Sequence, residues 1–118
     1  MKLTVLSSEG GVTHVQSEGE ITIVDVQKGS NPLEQVLGAG GFAGKVLLNL
    51  AGSEFIDSAG VGWLMMTHKR FRDTGGALVV HSPPPLVQHV FQLLQVGTVI
   101  PVADDEAGAL RMLRGGAS

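Results

Sequence analysis

The sequence contains no cysteine, which excludes disulfide bonds, thiol catalysis and zinc sites with cysteine ligands. It also has no apolar run that approaches the ~18 residues of a membrane-spanning helix. The first residues, MKLTVLSSEGG, lack the apolar core and the cleavage site of a secretory leader. We therefore expect a soluble protein of the cytoplasm.

Positive charge is scarce as well. Eight Lys and Arg residues against eleven Asp and Glu residues give a formal net charge of −3, and the sequence has no basic stretch. Such a chain is poorly suited to neutralising a phosphate backbone, so we do not expect nucleic acid as a partner. The hydrophobic share of 43% and the charged share of 16% are typical of one globular domain rather than of a disordered chain.

Catalytic and metal-binding patterns are also missing. The histidines are scattered, with none of the spacings that metal ligands show; they are His14, His68, His81 and His89. A nucleophile elbow has the pattern G-x-S-x-G, whereas Ile56 stands two residues before Ser58. We therefore expect no catalytic residue, no metal site and no enzymatic activity.

The run GAGGFA at residues 38–43 satisfies the letters of the dinucleotide-binding pattern G-x-G-x-x-A. That pattern works only when a strand precedes it and a helix follows it, because the helix amino terminus faces the pyrophosphate. Here a predicted helix precedes and a predicted strand follows. The run is interpreted as a loop of small residues, and no cofactor is expected.

The first third of the chain is rich in short β-prone runs. Residues 2–8 and 12–17 are separated by Glu9-Gly10-Gly11, which predicts a hairpin. Residues 18–26 are a further β-branched stretch and predict an extended segment.

The remainder alternates between strands and helices. A short helix is predicted from Asn31-Pro32 to Gly38. Two continuous apolar runs, at residues 45–52 and 77–82, predict strands buried on both faces. Further helices are predicted at 58–74, 85–96 and 104–114, with a short strand within 99–104. Such alternation is typical of parallel strands joined by crossover helices. We therefore predict an α/β fold: a mixed β-sheet with its later strands parallel, the two apolar strands central, and helices packed against it.

Apolar spacing separates two faces of the helix predicted at 58–74. One stripe is expected to face the sheet; it comprises Val61, Leu64, Met65 and His68. Trp63 lies about a third of a turn away from this stripe. Burial against a neighbouring helix is the simpler interpretation of Trp63, and a partly exposed anchor for a partner is the alternative.

The pair Asp57-Ser58 stands where a buried strand has just ended and a helix begins. Serine is a preferred N-cap, and an acid one residue earlier suits the same helix start, so helix capping is one interpretation. The other is a serine displayed to a partner, because Ala59 and Gly60 have little side chain and the carboxyl ends of parallel strands carry sites. The residues alone leave both interpretations open.

The run FIDSAGVG, residues 55–62, resembles the F-I-D-S-S/A-G-L/V-G motif of the STAS domains of bacterial anti-sigma factor antagonists. The double glycine at 75–76, the serine-proline at 82–83 and the terminal apolar strand with a proline also match that family. The resemblance covers about residues 18–113. It implies that residues 1–118 form a single STAS domain.

The resemblance also implies a mechanism. An anti-sigma factor with serine/threonine kinase activity binds the antagonist and phosphorylates the serine of the D-S-x-G motif, here Ser58. The phosphorylated antagonist releases the anti-sigma factor, and a phosphatase resets it. The partner-binding residues that the resemblance implies are Thr22, Asp57, Ser58, Ala59, Gly60, Val61 and Gly62.

Two positions differ from the family's usual pattern. Thr22 and Asn49 stand where antagonists commonly carry an acid, so negative charge is missing around the expected docking face. A second function therefore stays open: a STAS module that is not phosphorylated and serves a transport or signalling complex as an accessory or ligand-sensing part.

Overall fold

The structure is a computed structural model that describes residues 1–27 and 31–115. The single domain was predicted over residues 1–118, and residues 28–30 and 116–118 of it lie outside the described residues. The strands are β1 (Lys2–Glu9), β2 (Val12–Glu18), β3 (Lys45–Gly52), β4 (Ala77–His81) and β5 (Val102–Ala103). The α-helices are α1 (Ile23–Val26), α2 (Pro32–Leu37), α3 (Ser58–Asp73), α4 (Pro85–Leu93) and α5 (Glu106–Gly115). Short 3-10 helices span Ala39–Ala43 and Val96–Thr98.

The described strands form one mixed sheet in the order β1-β2-β3-β4-β5. β1 pairs with β2 in the antiparallel sense, and every later pair in the sheet is parallel. The predicted hairpin and the predicted parallel arrangement are both confirmed. The two apolar strands, β3 and β4, lie inside the sheet rather than at an edge, as predicted.

The apolar sequence of β3 follows from the burial of both its faces. On one face, Val46, Leu48 and Leu50 join the larger core cluster, to which α2, α3 and α4 also contribute. On the other face, Leu47 packs in a smaller cluster with Ala109 of α5. A strand covered on both faces needs apolar residues at successive positions, which is why the run is continuous.

The extended segment predicted at residues 18–26 is wrong in its second half, where the chain forms helix α1. The physical reason is a local capping contact. The carboxylate of Asp25 accepts a hydrogen bond from the backbone N–H of Thr22 over 2.9 Å, which closes a helical turn. This contact and the packing of α1 beside α3 outweigh the β preference of Ile23 and Val24.

The helix predicted from Asn31-Pro32 to Gly38 is confirmed as α2. The Asn31 side-chain oxygen accepts hydrogen bonds from the backbone N–H of Leu33, over 2.8 Å, and from the indole N–H of Trp63, over 3.1 Å. Trp63 is only 7% exposed, so its predicted burial is confirmed and the exposed-anchor alternative is wrong. The cap of α2 thus also fixes how α2 lies on α3.

The faces predicted for the central helix are also confirmed. In α3, Val61, Leu64 and His68 are buried, Met65 is half-buried and Met66 is exposed. The glycine-rich run before β3 forms a 3-10 helix that carries Phe42 into the core.

Two buried histidines give the fold a predictable response to acid. Burial lowers the pKa of His81 below the ordinary value of 6.5 despite the nearby Glu106 carboxylate. Burial, assisted by the Arg72 guanidinium, also lowers the pKa of His68. Both imidazoles are therefore held neutral in the folded state at a pH where the unfolded chain begins to take up protons.

We predict that stability falls as the pH drops below about 6.5, the unfolded histidine pKa. Above that pH the two imidazoles are neutral in both states. Below it the unfolded chain binds protons first, so the free energy of unfolding decreases until the pH reaches the folded pKa. The slope is at most ~1.4 kcal/mol per pH unit for each imidazole. Urea titrations at a series of pH values measure it.

The variant His81→Gln should flatten this slope, and His89→Gln, at an exposed position, is the matched control. If His81→Gln keeps the wild-type slope while His89→Gln loses it, the assignment to the buried histidine is wrong.

Candidate functional site

The segment that follows β3 is hydrogen-bonded to the end of β2 and to the residues that come after β2. The hydroxyl oxygens of Ser17 and Ser53, both fully buried, lie 2.7 Å apart. The backbone N–H of Ile21 donates to the carbonyl of Phe55 over 2.9 Å, and the N–H of Asp57 donates to the carbonyl of Ile21 over 3.2 Å. These contacts hold the start of α3 in a fixed place at the carboxyl end of the parallel strands.

The Asp57 carboxylate joins the amino termini of two helices. Its Oδ1 accepts a hydrogen bond from the backbone N–H of Gly60 in α3 over 2.8 Å. Its Oδ2 accepts one from the backbone N–H of Ile23, the first residue of α1, over 3.0 Å. Both N–H groups lack an intrahelical partner, so one side chain satisfies an unpaired donor in each helix.

Ser58 is the first helical residue of α3, and the residue is exposed, as expected for a displayed serine. The idea that Ser58 caps the helix is wrong, because Asp57 occupies the N-cap position with its side chain bonded to Gly60. Within the described part of the chain, neither the Ser58 hydroxyl nor the backbone N–H groups of Ser58 and Ala59 have a hydrogen-bond partner. The side chain of Ser58 therefore does not cap α3, although its position suggested that role.

Two residues of the predicted partner surface lie beneath it. Gly60 is buried: an added Cβ would stand 2.5 Å from the carbonyl oxygen of Ile21 and 2.8 Å from Cγ1 of Ile56. Val61 is buried in the main core cluster. Gly60 packs against Ile21 and Ile56, and Val61 packs in the core, so neither residue presents a side chain at the surface. Their burial follows from the inward-facing stripe of α3.

The other predicted surface residues are accessible to differing degrees. Thr22 precedes α1 and is half-buried, as are Asp57, Ala59 and Gly62. Because Asp57 bonds to α1, the structure brings the Thr22 end of α1 to the start of α3.

Sequence reasoning missed an apolar surface beside Ser58. Ile23 and Val24 of α1 are 53% and 62% exposed, and Phe55 is also exposed. Two exposed acids, Glu20 and Glu54, are their neighbours along the chain. The pattern Thr22-x-x-Asp25, which is typical of a helix start, was the signal that could have identified α1 and its outward residues.

Among residues 1–27 and 31–115, no group of three or more His, Asp or Glu side chains is placed to hold a metal ion. Over the same residues, no helix is both long enough and apolar enough to cross a bilayer.

Residues 4–101 match the family model described as "Mlab, STAS domain". The chain belongs to the STAS domain family. The fold agrees with this assignment: a hairpin strand pair is followed by a parallel sheet, and α3 begins directly after the central strand.

Two similar proteins are anti-sigma factor antagonists by name. An anti-sigma F factor antagonist of Paenibacillus polymyxa is 28% identical over 68 residues, 58% of this chain and 58% of that protein. The match therefore spans less than two thirds of that relative's length. The crystal structure of an anti-sigma factor antagonist from Mycobacterium paratuberculosis is 26% identical, with a TM-score of 0.72, and the match covers 96% of this STAS domain and 95% of that chain.

Two more distant structures share the fold alone. One is the Bacillus cell fate determinant SpoIIAA in its phosphorylated form, 19% identical with a TM-score of 0.56, covering 96% and 98% of the two chains. The other is the murine anion transporter Slc26a9, 17% identical with a TM-score of 0.68. That match covers 92% of this STAS domain but only 18% of the transporter chain.

We predict opposite effects of alanine at two neighbouring glycines of α3. Gly60→Ala should destabilise the STAS domain by ~1–3 kcal/mol, because the new methyl group would overlap the carbonyl oxygen of Ile21. Gly62→Ala should stabilise it by ~0.5–1 kcal/mol, because alanine favours a helix and the new methyl group would have open space: apart from its chain neighbours and the backbone of its own helix, no described atom would lie within 4 Å. Urea unfolding measures both. Equal effects of the two substitutions would show that the close approach of α3 to Ile21 is not real.

A second pair of variants compares how much the N-cap Asp57 and the exposed Ser58 each contribute to stability. Asp57→Ala should cost ~1–2 kcal/mol, because it removes the acceptor for the N–H groups of Gly60 and Ile23. Ser58→Ala should change stability by no more than ~0.5 kcal/mol, because the hydroxyl has no partner in the described structure. Thermal or urea unfolding of the two variants provides the measurement. If Ser58→Ala lowered the stability more than Asp57→Ala, Ser58 rather than Asp57 would be the residue that caps α3.

Proposed function

We propose that this STAS domain is an anti-sigma factor antagonist whose binding is controlled at Ser58. The proposed partner is an anti-sigma factor that is also a serine/threonine kinase, and the proposed reset is by a phosphatase. These partners act in the cytoplasm, which is the compartment that the proposal implies. The chain itself acts by binding, while the partner supplies the phosphoryl transfer. The observation that carries the proposal is an exposed, unbonded serine at the start of α3, beside exposed apolar residues of α1.

The position of Ser58 suits a phosphate in the unbound protein. A phosphoryl group adds about −1.5 to −2 charges and three acceptor oxygens. The backbone N–H groups of Ser58 and Ala59 have no acceptor in the described structure, and they stand at the positive end of the 16-residue helix α3. The modified domain can therefore stay folded.

The same phosphate would oppose docking. A partner that covers Ile23, Val24 and Phe55 would gain apolar burial, and it would have to enclose the edge that carries Ser58 and Asp57. Desolvating a phosphate next to the Asp57 carboxylate is costly, because two like charges would share one dry interface. One covalent change would thus end binding without refolding.

The comparisons support the proposal at the level of names. The Paenibacillus relative and the Mycobacterium structure are both called anti-sigma factor antagonists, and the Bacillus protein was solved in a phosphorylated form. We extend the function in these names to this STAS domain because of the geometry at Ser58.

A second function has its own supporting observation. The fold recurs as a small part of the Slc26a9 anion transporter chain. In addition, Thr22 and Asn49 are uncharged where antagonists commonly carry an acid. The alternative is an accessory or ligand-sensing module of a transport or signalling complex, bound through the same edge without phosphorylation.

A capture experiment distinguishes the two functions. Wild type, Ser58→Ala and Ser58→Glu serve as baits in an extract of the source cells. Captured partners are identified by mass spectrometry, and the complexes are then given ATP and Mg²⁺. We predict that wild type and Ser58→Ala capture one kinase-like ATPase, and that Ser58→Glu captures it at least about tenfold less well because it adds a carboxylate beside Asp57. ATP should phosphorylate Ser58 and release wild type but not Ser58→Ala.

Ser8→Glu is the matched control, because Ser8 is exposed on β1 near the end of the sheet where β3 begins, away from Ser58. It should bind like wild type. Equal capture of one partner by all baits, with no phosphate on wild type after ATP, would contradict the switch and support the accessory-module function.

A further inference from the structure

A groove of about 460 Å³ lies between α4, the 3-10 helix at Val96–Thr98 and the end of β5. Small-molecule sites in proteins have volumes of roughly 300–1,000 Å³. Part of the lining is apolar: Phe91 of α4 is only 4% exposed, and Pro83 and Val102 are half-buried. The groove is therefore large enough for a small organic molecule, and its apolar lining favours a ligand with an apolar body.

The groove lies at the carboxyl ends of two neighbouring parallel strands. Pro83 follows β4, and Asp104 comes directly after β5. The backbone N–H of Ser82 donates to the carbonyl of Ala103 over 3.1 Å, which holds the two strand ends together. Sheets with parallel strands bind ligands outside these carboxyl ends. The groove is thus in the part of the fold where a ligand site is expected.

Two residues at the groove have an unfavourable backbone conformation. Gln95 lines the groove and has a φ of 54°, and Ser82, which precedes Pro83, has a φ of 59°. In the described part of the chain, no other residue except glycine has a positive φ. Such conformations cluster at ligand sites. The carbonyl of Gln95 also accepts hydrogen bonds from the N–H and the hydroxyl of Thr98, over 3.1 and 2.7 Å, so this side of the groove is held in place without a ligand.

The polar side chains of the groove offer acceptors and no positive charge. Gln88, Gln92 and Gln95 contribute carboxamides, and Asp104 contributes a carboxylate. Within the described residues, none of these four side chains has a hydrogen-bond or ion-pair partner. No Lys, Arg or His is among the described residues that line the groove. A carboxamide both donates and accepts hydrogen bonds, so the carboxylate decides the sign of the ligand: it attracts a cation and repels a phosphate or a carboxylate.

We propose that this groove binds a small organic cation, in which an amidinium, guanidinium or ammonium group is attached to an apolar body. The charged group donates hydrogen bonds to the carboxylate of Asp104 and to the glutamine oxygens, and the apolar body packs on Phe91 and Val102. The lining includes no residue of the surface around Ser58, so the site does not depend on the proposed function.

Three molecules of the same size and shape test the sign of the charge. At neutral pH benzamidine is a cation, benzamide is neutral and benzoate is an anion. Each is added at millimolar concentration to the full chain labelled with nitrogen-15, and NMR follows the backbone amide signals. Benzamidine should shift the signals of Gln92, Gln95 and Asp104 and bind at least about fivefold more tightly than benzamide. Benzoate should leave these signals unchanged.

Three variants test the role of the carboxylate. Asp104→Asn should weaken benzamidine binding at least about fivefold and change benzamide binding less than about twofold, because it removes the charge and keeps the size. Gln92→Glu, at an exposed position, should tighten benzamidine binding about threefold, because it adds a second carboxylate. Glu9→Gln is the matched control: it removes one exposed negative charge near the opposite end of the sheet, where β3 begins, and should bind benzamidine like wild type.

A fourth molecule distinguishes a free ligand from the side chain of a partner protein. N-acetyl-arginine amide carries a planar cation on the flexible chain that a protein would present. It should bind less tightly than benzamidine, because ordering this chain costs conformational entropy.

Four outcomes would overturn the proposal. The first is that millimolar benzamidine shifts no signal of the groove. The second is that benzamide or benzoate binds as tightly as benzamidine. The third is that Asp104→Asn binds benzamidine as tightly as Glu9→Gln does. The fourth is tighter binding of N-acetyl-arginine amide than of benzamidine, which would make the groove a docking site for a protein side chain.

Discussion

The Asp57 carboxylate is the interaction on which the candidate site depends. Its two oxygens accept the N–H groups of Gly60 and Ile23, so the first turns of α3 and α1 start from one point. These donors would otherwise be unpaired, because helix amino termini have no internal acceptors. The exposed positions of Ser58 and Ile23 both follow from this arrangement. A four-residue helix such as α1 has little stability of its own, so its place on the surface is decided by such contacts.

Much of the fold could be predicted from the sequence, because local and long-range preferences agree there. The buried positions of β3 are all apolar, and those of β4 are apolar except for His81. α2 has a cap at Asn31, a first-turn proline and a closing glycine at Gly38. For α1 the local signals disagree, because only the pattern Thr22-x-x-Asp25 predicts a helix start. Ile23 and Val24 favour strands, and four residues are too few to show a helical period. The helix results from a carboxylate contact and from packing on a neighbour that is distant in sequence.

The candidate site was predictable in part for the same reason. The place of Asp57 and Ser58 after a central strand could be read from the chain, and the family resemblance gave Ser58 its expected role. Which neighbours reach the surface could not be read from a motif, since the inward stripe of α3 passes through it and buries Val61. The exposed apolar residues of α1 were missed because α1 itself was read as extended. Exposure depends on the elements that meet at this edge.

The buried hydroxyl pair of Ser17 and Ser53 has a practical consequence for phosphosite mapping. Trypsin cuts after lysine and arginine, and Lys45 and Lys69 bound a peptide that contains three hydroxyl side chains: Ser53, Ser58 and Thr67. In the folded protein Ser53 is fully buried and Thr67 almost so, whereas Ser58 is exposed. A kinase that acts on the native protein can therefore reach only one of the three. A single added phosphate on this tryptic peptide identifies Ser58 by mass alone, without fragment ions that separate the three positions.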